Sequence, residues 1–250
     1  MNKTHTVGAE IRIRNAVKIH RAGQVAAFSL SVPELELEPG SVNVVVGKSG
    51  CGKTTLLDVL GCISSFDSCE QFTFALGEKR WEVAGAGAVR RAALRRGGIG
   101  YVLQQGGLLP FLNVWENIEL PMRMAACPKA YRQSARELAD ILEIGDLLHR
   151  RPAELSIGQR QRVSIIRALA VQPGLLLADE PTGSLDPISA REVRAQLIQS
   201  ARWLNITTVI VTHDVELFRP AADVIWGFRV EAQAGAGVIS TVLKEERREE

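Results

Sequence analysis

One short stretch of this sequence combines glycines, a lysine and a threonine at a spacing suited to phosphate binding. Residues 47–54 read G-K-S-G-C-G-K-T and fit the pattern G-x-x-x-x-G-K-[ST]. The glycines let backbone N–H groups turn inward around phosphate oxygens, and a following helix adds positive charge at its first turn. Lys53 is placed to reach the β- and γ-phosphates of a nucleotide, and the Thr54 hydroxyl to ligate magnesium. The candidate nucleotide-binding residues here are Gly47, Lys48, Ser49, Gly50, Cys51, Gly52, Lys53, Thr54 and Thr55.

The segments on either side of this loop have the character that the motif requires. Residues 42–46 predict a short buried strand, and residues 55–60 predict a helix. A flexible glycine turn ahead of a helix is the simpler alternative, and these flanks disfavour it. Cys51 lies beside Lys53 and the helix start, two features that lower the pKa of a thiol. We therefore expect Cys51 to react with alkylating reagents and bound nucleotide to protect it.

A pair of acids at the end of an apolar run forms the second candidate site. Residues 175–179, L-L-L-A-D, predict a buried parallel strand, and Glu180 follows Asp179 directly. An acid there can hold a magnesium shell through water, and a second carboxylate can polarise the attacking water. A strand-end turn with acids is common by itself, but P-T-G-S-L-D at 181–186 favours a functional pair.

A third feature is a helix start at Ser156. Ser156 and Gln159 fit the S-x-x-Q capping box, which alone predicts only a well-capped helix. The exposed N–H groups of such a start would also suit a γ-phosphate.

Together these segments resemble the ATP-binding-cassette (ABC) ATPases. The matching segments are residues 47–54 for Walker A, 155–159 for the LSGGQ signature, 175–179 for Walker B and 184–186 for the D-loop. The matching single residues are Gln104 for the Q-loop glutamine, Glu180 for the catalytic glutamate and His213 for the switch histidine. Ile157 replaces the first glycine of the signature. The family also stacks an aromatic ring on adenine, for which this chain offers His20 or Phe28; a surface histidine at a strand end is the alternative for His20.

The resemblance implies an ATP hydrolase that uses ATP and Mg²⁺. Glu180, His213 and Gln104 would be catalytic, and the implied metal-site residues are Thr54, Gln104 and Asp179. Two cassettes would pair head to tail as a homodimer or paired cassette and sandwich two ATP. The signature residues Ser156, Gly158 and Gln159 would then face the nucleotide of the partner. The implied fold is an α/β phosphate-loop core with a mostly parallel sheet, an N-terminal antiparallel β subdomain and a helical insertion.

The elements around these residues predict one ATP-binding domain over residues 1–243. Alternating apolar residues predict antiparallel strands before residue 40, and further strands are predicted at 72–76, 99–103 and 207–211. Residues 105–172 predict a helical insertion in the α/β core, with one apolar stripe at Tyr131, Ala135, Leu138 and Leu142. A helix is predicted at 187–203 and a closing hairpin at 224–230 with 238–243. Residues 244–250 are all charged and predict a disordered tail.

Composition disfavours a nucleic-acid-binding, metal-binding, disulfide-rich or membrane-spanning protein. Apolar residues make up 46% of 250, and the formal net charge of +2 gives no sign of a nucleic-acid partner. The four cysteines lack metal or disulfide spacing, and no apolar run approaches the ~18 residues needed to span a bilayer. The N-terminus lacks the apolar segment of a signal peptide. We therefore expect a cytoplasmic chain, peripheral on the inner face of the cell membrane. Arg90, Arg91, Arg95 and Arg96 favour a solvated helix face over a phosphate site.

Residues 108–121, L-L-P-F-L-N-V-W-E-N-I-E-L-P, resemble the lipoprotein-release and macrolide-export group of cassettes. This implies an exporter or extraction system with separate integral membrane permease subunits. The apolar residues at 108–115 would form part of the core and part of a cleft for a short permease helix. A cassette that signals through a membrane partner without transport is the alternative. Repair and chromosome cassettes are disfavoured, because only about a hundred residues separate Walker A from the signature, too few for a long coiled-coil arm. A translation-factor cassette would need two nucleotide units in one chain.

Overall fold

In the computed structural model of this protein, the described residues form a ten-stranded mixed sheet. The structure describes residues 7–22, 25–233 and 237–245. The strands are β1 Ala9–Ala22, β2 Val25–Leu37, β3 Val42–Val46, β4 Ser68–Leu76, β5 Lys79–Glu82, β6 Ile99–Val102, β7 Leu175–Asp179, β8 Thr207–Thr212, β9 Val224–Gln233 and β10 Gly237–Glu245. The helices are α1 Lys53–Leu60, α2 Ala88–Gly98, α3 Val114–Met124, α4 Ala130–Ile141, α5 Ile157–Leu169, α6 Pro187–Trp203 and α7 Val215–Phe218. Short 3₁₀ turns occur at Gly145–Leu147, Pro152–Glu154 and Arg219–Ala221.

The strand order is β5-β4-β1-β2-β10-β9-β3-β8-β7-β6. From β9 to β6 neighbouring strands are parallel, whereas β5, β4, β1 and β2 are antiparallel. The hairpin of β9 and β10 joins the two parts, because β10 is antiparallel to β9 and parallel to β2. The predicted α/β fold with an N-terminal antiparallel part is therefore confirmed.

The parallel strands are buried on both faces, which explains their continuous apolar sequences. In β3, Val44 packs into the core on one face of the sheet, and Val45 packs into the core on the other. Helix α1 covers the Val45 face, while α5 and α6 cover the Val44 face. All four of these parallel strands, β3, β6, β7 and β8, end at one edge of the sheet, where side chains of the following loops meet.

The apolar alternation of β1 changes phase at Asn15. This residue has φ of 46°, a left-handed conformation that asparagine tolerates better than most residues. It lies opposite Pro33 of β2, between the pairs Arg14↔Glu34 and Ala16↔Val32. Pro33 has no N–H to donate, so the ladder is interrupted at the same level on both strands.

Helices α3, α4 and α5 lie between β6 and β7 in the chain. In the predicted stripe Ala135, Leu138 and Leu142 are buried and Tyr131 is partly buried. Capping boxes begin α3, at Asn113 with Glu116, and α5, at the predicted Ser156. The buried Asn117 amide fixes the preceding loop, since its Oδ1 accepts from Leu109 N and its Nδ2 donates to three carbonyls of that loop.

The domain boundary predicted at residue 243 differs from the structure. The β9–β10 hairpin forms as predicted, but β10 extends through Lys244 and Glu245, which the sequence assigned to the charged tail. Residues 246–250 of that tail lie outside the described residues. Among the described residues, none of the helices combines the length and apolar character needed to cross a bilayer.

Candidate functional site

The glycine-rich loop connects β3 to α1 and folds tightly over the start of that helix. Gly50 and Gly52 have φ of 78° and 102°, values that favour glycine. A Cβ on Gly52 would lie 2.8 Å from the Phe28 ring, so this position also needs glycine for space. The ammonium group of Lys53 donates to the carbonyls of Gly47 at 2.8 Å and Lys48 at 3.1 Å. The charge of Lys53 forms no ion pair with a carboxylate among the described residues, and it lies where an anion would bind.

A cleft of about 540 Å³ opens above this loop. It is lined by His20, Phe28, Ser49, Gly50, Gly52, Lys53, Thr54, Thr55, Gln104, Asp179 and Glu180. The structure therefore brings together residues that lie up to 160 positions apart in the sequence. Gly47, Lys48 and Cys51, also predicted to bind nucleotide, do not line this cleft; the carbonyls of the first two hold Lys53.

Asp179, at the end of β7, faces the start of α1. The Thr54 hydroxyl donates to Asp179 Oδ2 at 3.3 Å. Burial raises the pKa of Asp179, and the negative charges of Glu180 and Asp58 raise it further against the opposing effects of Thr54 and Lys53. Desolvated carboxylates close together favour a bound cation. The described residues contain no cluster of three or more His, Cys, Asp and Glu side chains able to hold a metal, so a cation here would need ligands from phosphate and water.

Glu180 and His213 form a close pair beside Asp179. Glu180 Oε2 lies 2.6 Å from His213 Nδ1 and accepts from the His213 backbone N–H at 3.3 Å. The Glu180 side chain is only 14% exposed, whereas that of His213 is 67% exposed. Glu180 also has φ of 46°, an unusual value for a residue that is not glycine, and such values cluster at functional sites. The pair can hold the carboxylate in one orientation, as a general base requires.

The signature segment begins α5 and lies apart from the cleft. Ser156 Oγ accepts from Gln159 N at 3.1 Å, and Gln159 Oε1 accepts from Ser156 N at 2.9 Å. Ile157 is exposed, and the space around Gly158 is open. Neither Ser156, Gly158 nor Gln159 lines the cleft over the glycine-rich loop. One copy of the chain therefore leaves these two groups of predicted residues separate.

His20 and Phe28 lie together at one side of the cleft. Their ring centroids are 5.9 Å apart with the ring planes at 44°, and they face each other across β1 and β2. His20 Nε2 lies 3.3 Å from Thr55 Oγ1, just behind the glycine-rich loop. Either ring is placed to contact a flat group bound in the cleft.

The expectation of a low thiol pKa at Cys51 is wrong. Burial raises the pKa of Cys51, and the charge of Lys53 opposes this only in part. The side chain is 4% exposed and packs beneath the loop, since a Cβ on Gly47 would lie 2.5 Å from its Sγ. The Cys51 carbonyl accepts a bond of 2.6 Å from Ser240 Oγ, which fixes the loop to β10. The sequence predicted that Cys51 lies in the loop, but it did not predict that its side chain points into the protein interior.

We predict that maleimide modifies Cys51 more slowly than Cys127 at pH 7.5. Cys51 is buried and Cys127 is half-buried, and the thiol with the smaller accessible thiolate population reacts more slowly. The rate at Cys51 should rise with pH, because its raised pKa leaves mostly thiol near neutrality. Peptide mass mapping over a time course measures both rates. Equal rates at the two cysteines would contradict the burial of Cys51.

Sequence reasoning missed two arginines of α5 that connect the parts of the site. Arg162 pairs with Glu143 at 3.1 Å and Glu192 at 2.8 Å, and so links α5 to the end of α4 and to α6. Arg167 donates to the carbonyls of Gly106 and Gly107, both at 2.7 Å. For Arg167 the sequence signal was a positive charge within the apolar segment V-S-I-I-R-A-L, where an arginine needs a partner, whereas Arg162 follows a polar run that gives no such signal.

Gln104 is held in place from the same helix. Gln161, buried in α5, donates to the carbonyl of Leu103 at 3.3 Å, on one side of Gln104. Arg167 fixes Gly106 and Gly107 on the other side. The position of Gln104 in the cleft therefore depends on α5, the helix that begins at Ser156.

Several known proteins are similar to this chain in sequence. The family model described as "ABC transporter" matches residues 30–183. An uncharacterised ABC transporter ATP-binding protein of Thermotoga maritima is 41% identical over 80% of this chain and 83% of its own length. The lipoprotein-releasing system ATP-binding protein LolD of Pseudomonas syringae is 38% identical over 84% of this chain and 91% of its own. The macrolide export ATP-binding/permease protein MacB of Burkholderia lata is 38% identical over 82% of this chain, which spans only 29% of that protein.

Solved structures of an ABC transporter cassette have the same fold as this chain. The dimeric structure of MJ0796, a bacterial ABC transporter cassette, superposes with a TM-score of 0.73 at 30% identity, over 87% of this chain and 93% of that one. A second dimeric structure of the same cassette, in a post-hydrolysis state bound to ADP and Pi, gives a TM-score of 0.74 at 29% identity.

Proposed function

The chain belongs to the ABC transporter family, and from this membership we propose that it is the ATP-binding and ATP-hydrolysing subunit of a transporter whose membrane permease is a separate chain. The observation that carries the proposal is the cleft in which Lys53, Asp179, Glu180 and Gln104 meet over the glycine-rich loop. The likeness to lipoprotein-release and macrolide-export proteins supports export or extraction as the work performed. The chain would then act at the inner face of the membrane.

Nucleotide binding follows from the loop. The backbone N–H groups of residues 49–54 and the ammonium of Lys53 would bind the phosphates, where the dipole of α1 adds to the attraction. The adenine would lie against His20 and Phe28, which border the same cleft. Lys53 would exchange its two carbonyl partners for phosphate oxygens, which make stronger charge-assisted bonds.

Magnesium fits the polar groups beside the phosphates. Thr54, Asp179 and Gln104 offer the oxygen ligands that magnesium prefers. A bound magnesium ion neutralises phosphate charge in the transition state. It would also stabilise the ionised form of Asp179, whose pKa is raised by burial and further by the nearby negative charges of Glu180 and Asp58.

Hydrolysis follows from the pair of Glu180 and His213. Glu180 would accept a proton from the water that attacks the γ-phosphate, while the bond to His213 fixes the carboxylate in position. Gln104 would contact the nucleotide site, and a change in its position would move the loop that follows it in the chain. The signature of a second copy would close the site, because Ser156, Gly158 and Gln159 lie outside the cleft of their own chain. A head-to-tail dimer therefore encloses two ATP.

Purified chain tests this function directly. We expect Mg²⁺-dependent release of phosphate from ATP, and loss of nucleotide binding in the Lys53→Met chain. Lys79→Met, the same change on the exposed edge strand β5 and outside the cleft, is the matched control. Absence of both ATP binding and phosphate release in folded wild-type chain would exclude the proposed activity.

A second, more apolar groove is the proposed docking site for the permease. Its volume is about 600 Å³, and it is lined by Ala92, Arg95, Arg96, Ile99, Gly100, Tyr101, Leu103, Gly107, Leu109, Leu120, Pro121, Met124, Arg167, Ala168 and Val171. The groove lies next to the loop that follows Gln104, as a coupling surface should. Leu103 and Met124 are 44% and 67% exposed on its walls. Of the residues that the sequence predicted for the docking cleft, Phe111 is exposed and Leu108 and Leu112 are partly buried, but none of these three lines the groove.

We predict that Met124→Glu reduces recovery of the chain with membranes at least about tenfold, since a few apolar anchors dominate binding of a helix in a groove. Phe111→Glu tests the exposed member of the predicted set in the same way. Val230→Glu, on the half-exposed part of β9, is the matched control and should bind normally. Membrane fractionation from the source organism measures recovery, and ATP affinity should stay unchanged. Normal recovery of the folded Met124→Glu chain would remove this groove as the docking surface, and normal recovery of the folded Phe111→Glu chain would exclude Phe111 from permease binding.

A further inference from the structure

The sequence between Glu82 and Glu116 contains no acidic residue, yet it carries the four arginines of α2. None of these four forms an ion pair with a carboxylate among the described residues. Arg91 and Arg95 donate to the backbone carbonyls of Ala86 and Cys62. Arg96 makes no side-chain hydrogen bond within the described residues and is exposed. Part of the chain thus has positive charge that nothing in the described fold neutralises.

Two of these arginines, Arg95 and Arg96, line the apolar groove proposed as the docking site. Arg95 and Arg96 of α2 line one wall, and Arg167 of α5 lines another. Between them Leu103, Leu109, Leu120, Pro121 and Met124 supply an apolar floor and rim. A binding partner must therefore match an apolar surface bordered by guanidinium groups.

Of the arginines in the groove, Arg167 is desolvated and bonds only to backbone carbonyls among the described residues. Its Nη1 and Nη2 donate to the carbonyls of Gly107 and Gly106, and no carboxylate pairs with it among the described residues. Burial lowers the pKa of Arg167 because desolvation disfavours the charged form. A guanidinium has five N–H donors, of which these bonds use two. Arg167 is partly buried, and a partly desolvated charge is stabilised when an opposite charge reaches it with good hydrogen-bond geometry.

We propose that the permease segment docked in this groove is a short amphipathic helix with an acidic side chain that pairs with Arg96 and Arg167. The inference rests on the docking proposed above and specifies the chemistry of the partner. The helix would place apolar residues on Leu103 and Met124 and its carboxylate between the two arginines. Arg167 also donates to the carbonyls of Gly106 and Gly107. A carboxylate that shifts Arg167 would therefore also shift the loop that follows Gln104. A basic helix would be rejected by like charge.

Photo-crosslinking identifies the segment that occupies the groove. Benzoylphenylalanine in place of Met124, in the full-length chain expressed in its source organism, is irradiated in isolated membranes, and the linked peptide is sequenced by mass spectrometry. We expect a cytoplasmic permease segment with Asp or Glu within one helical turn of the linked residue. A permease segment without an acid overturns the inference but leaves the docking proposal intact. Linkage to lipid alone, or to no membrane protein, overturns both.

Charge reversal then tests the pairing. Arg96→Glu should reduce permease recovery about tenfold or more, and replacing the acidic permease residue with Arg should restore it. Arg90→Glu, on the same helix but outside the groove, is the control and should recover the permease normally. Melting temperatures verify folding of each variant. Unchanged recovery with Arg96→Glu, or failure of the reversed pair to restore it, overturns the inference.

A double-mutant cycle addresses Arg167 separately. Arg167→Gln should weaken binding of the native permease several-fold more than binding of a permease whose acidic residue is already Gln. A residue that only supports the loop after Gln104 would weaken both equally. Equal effects would therefore exclude Arg167 from the pair.

Discussion

Replacing Glu180 with Gln should lower the rate of ATP hydrolysis by about 100- to 10,000-fold, the range expected when a general base is removed. The substitution keeps the size of the side chain and its capacity to accept a hydrogen bond from His213, whose ring nitrogen lies 2.6 Å from Glu180 Oε2. It removes only the ability to take a proton from water. ATP should therefore bind with nearly normal affinity, and the ATP-bound dimer should persist because hydrolysis no longer opens it.

Phosphate release at saturating ATP and size-exclusion chromatography in ATP measure the two effects. Asp214→Asn is the matched control, because it makes the same carboxylate-to-amide change next to His213 but outside the cleft. Asp214 caps α7 by accepting from Leu217 N, a role that Asn fills equally well. Near-normal turnover in the Glu180→Gln chain would exclude this residue as the base.

Much of the fold was predictable because its parallel core leaves a direct trace in the sequence. Strands β3, β7 and β8 are covered on both faces, so each has apolar residues on both of its faces, although Asn43 interrupts β3 and threonines begin and end β8. Helix α6 was predicted with its bounds, since Asp186 caps its first N–H groups and Pro187 suits the first helical position. Where burial and capping decide the structure locally, the sequence is sufficient.

The elements that were missed have weak local signals. Strand β5, K-R-W-E, lies at the edge of the sheet and pairs only with β4, so it needs just one apolar side chain, Trp81. Helix α7 has only four residues, too few for a helical period to appear. Neither element alters the cleft.

At the site, motif spacing predicted which residues meet but not how each side chain is directed. Glu180 and His213 lie 33 positions apart, and their contact depends on β7 and β8 being neighbours in the sheet. Cys51 occupies the motif, yet its side chain packs under the loop and its thiol pKa moves opposite to expectation. Arg162 and Arg167 acquire their roles only through partners far away in sequence. Such long-range geometry has no local pattern from which it could be read.

Replacing Gly158 with Asp should abolish most ATP hydrolysis without destabilising the protein. A Cβ at this position meets only Ser189 Cβ at 3.9 Å and Ser156 Oγ at 4.0 Å, which are ordinary contacts. An acid in the first turn of α5 gains roughly 0.3–1 kcal/mol from the helix dipole. The melting temperature should therefore stay constant or rise. In the proposed dimer, however, the new carboxylate would face the γ-phosphate held by the partner, and we expect a fall in hydrolysis of about 100-fold or more, equivalent to losing one charge-stabilising contact.

Gly158→Asn is the control that separates charge from size, and it should retain much more activity than Gly158→Asp. ATP should still bind to the loop of either variant, because residue 158 lies outside the cleft of its own chain. Nucleotide titration, phosphate release and thermal melting distinguish these effects. A large drop in melting temperature would contradict the open space seen at Gly158.

Mixing Gly158→Asp chains with Glu180→Gln chains gives the sharpest result. In a mixed dimer, one site combines an intact Glu180 with an intact signature from the other chain, while the second site carries both defects. Random pairing makes about half of the dimers mixed, so an equal mixture should release roughly one phosphate per four chains in a single burst. Either variant alone should give almost none. A mixture as inactive as its components would show that the signature does not act on the nucleotide of the partner chain, and the head-to-tail arrangement would have to be abandoned.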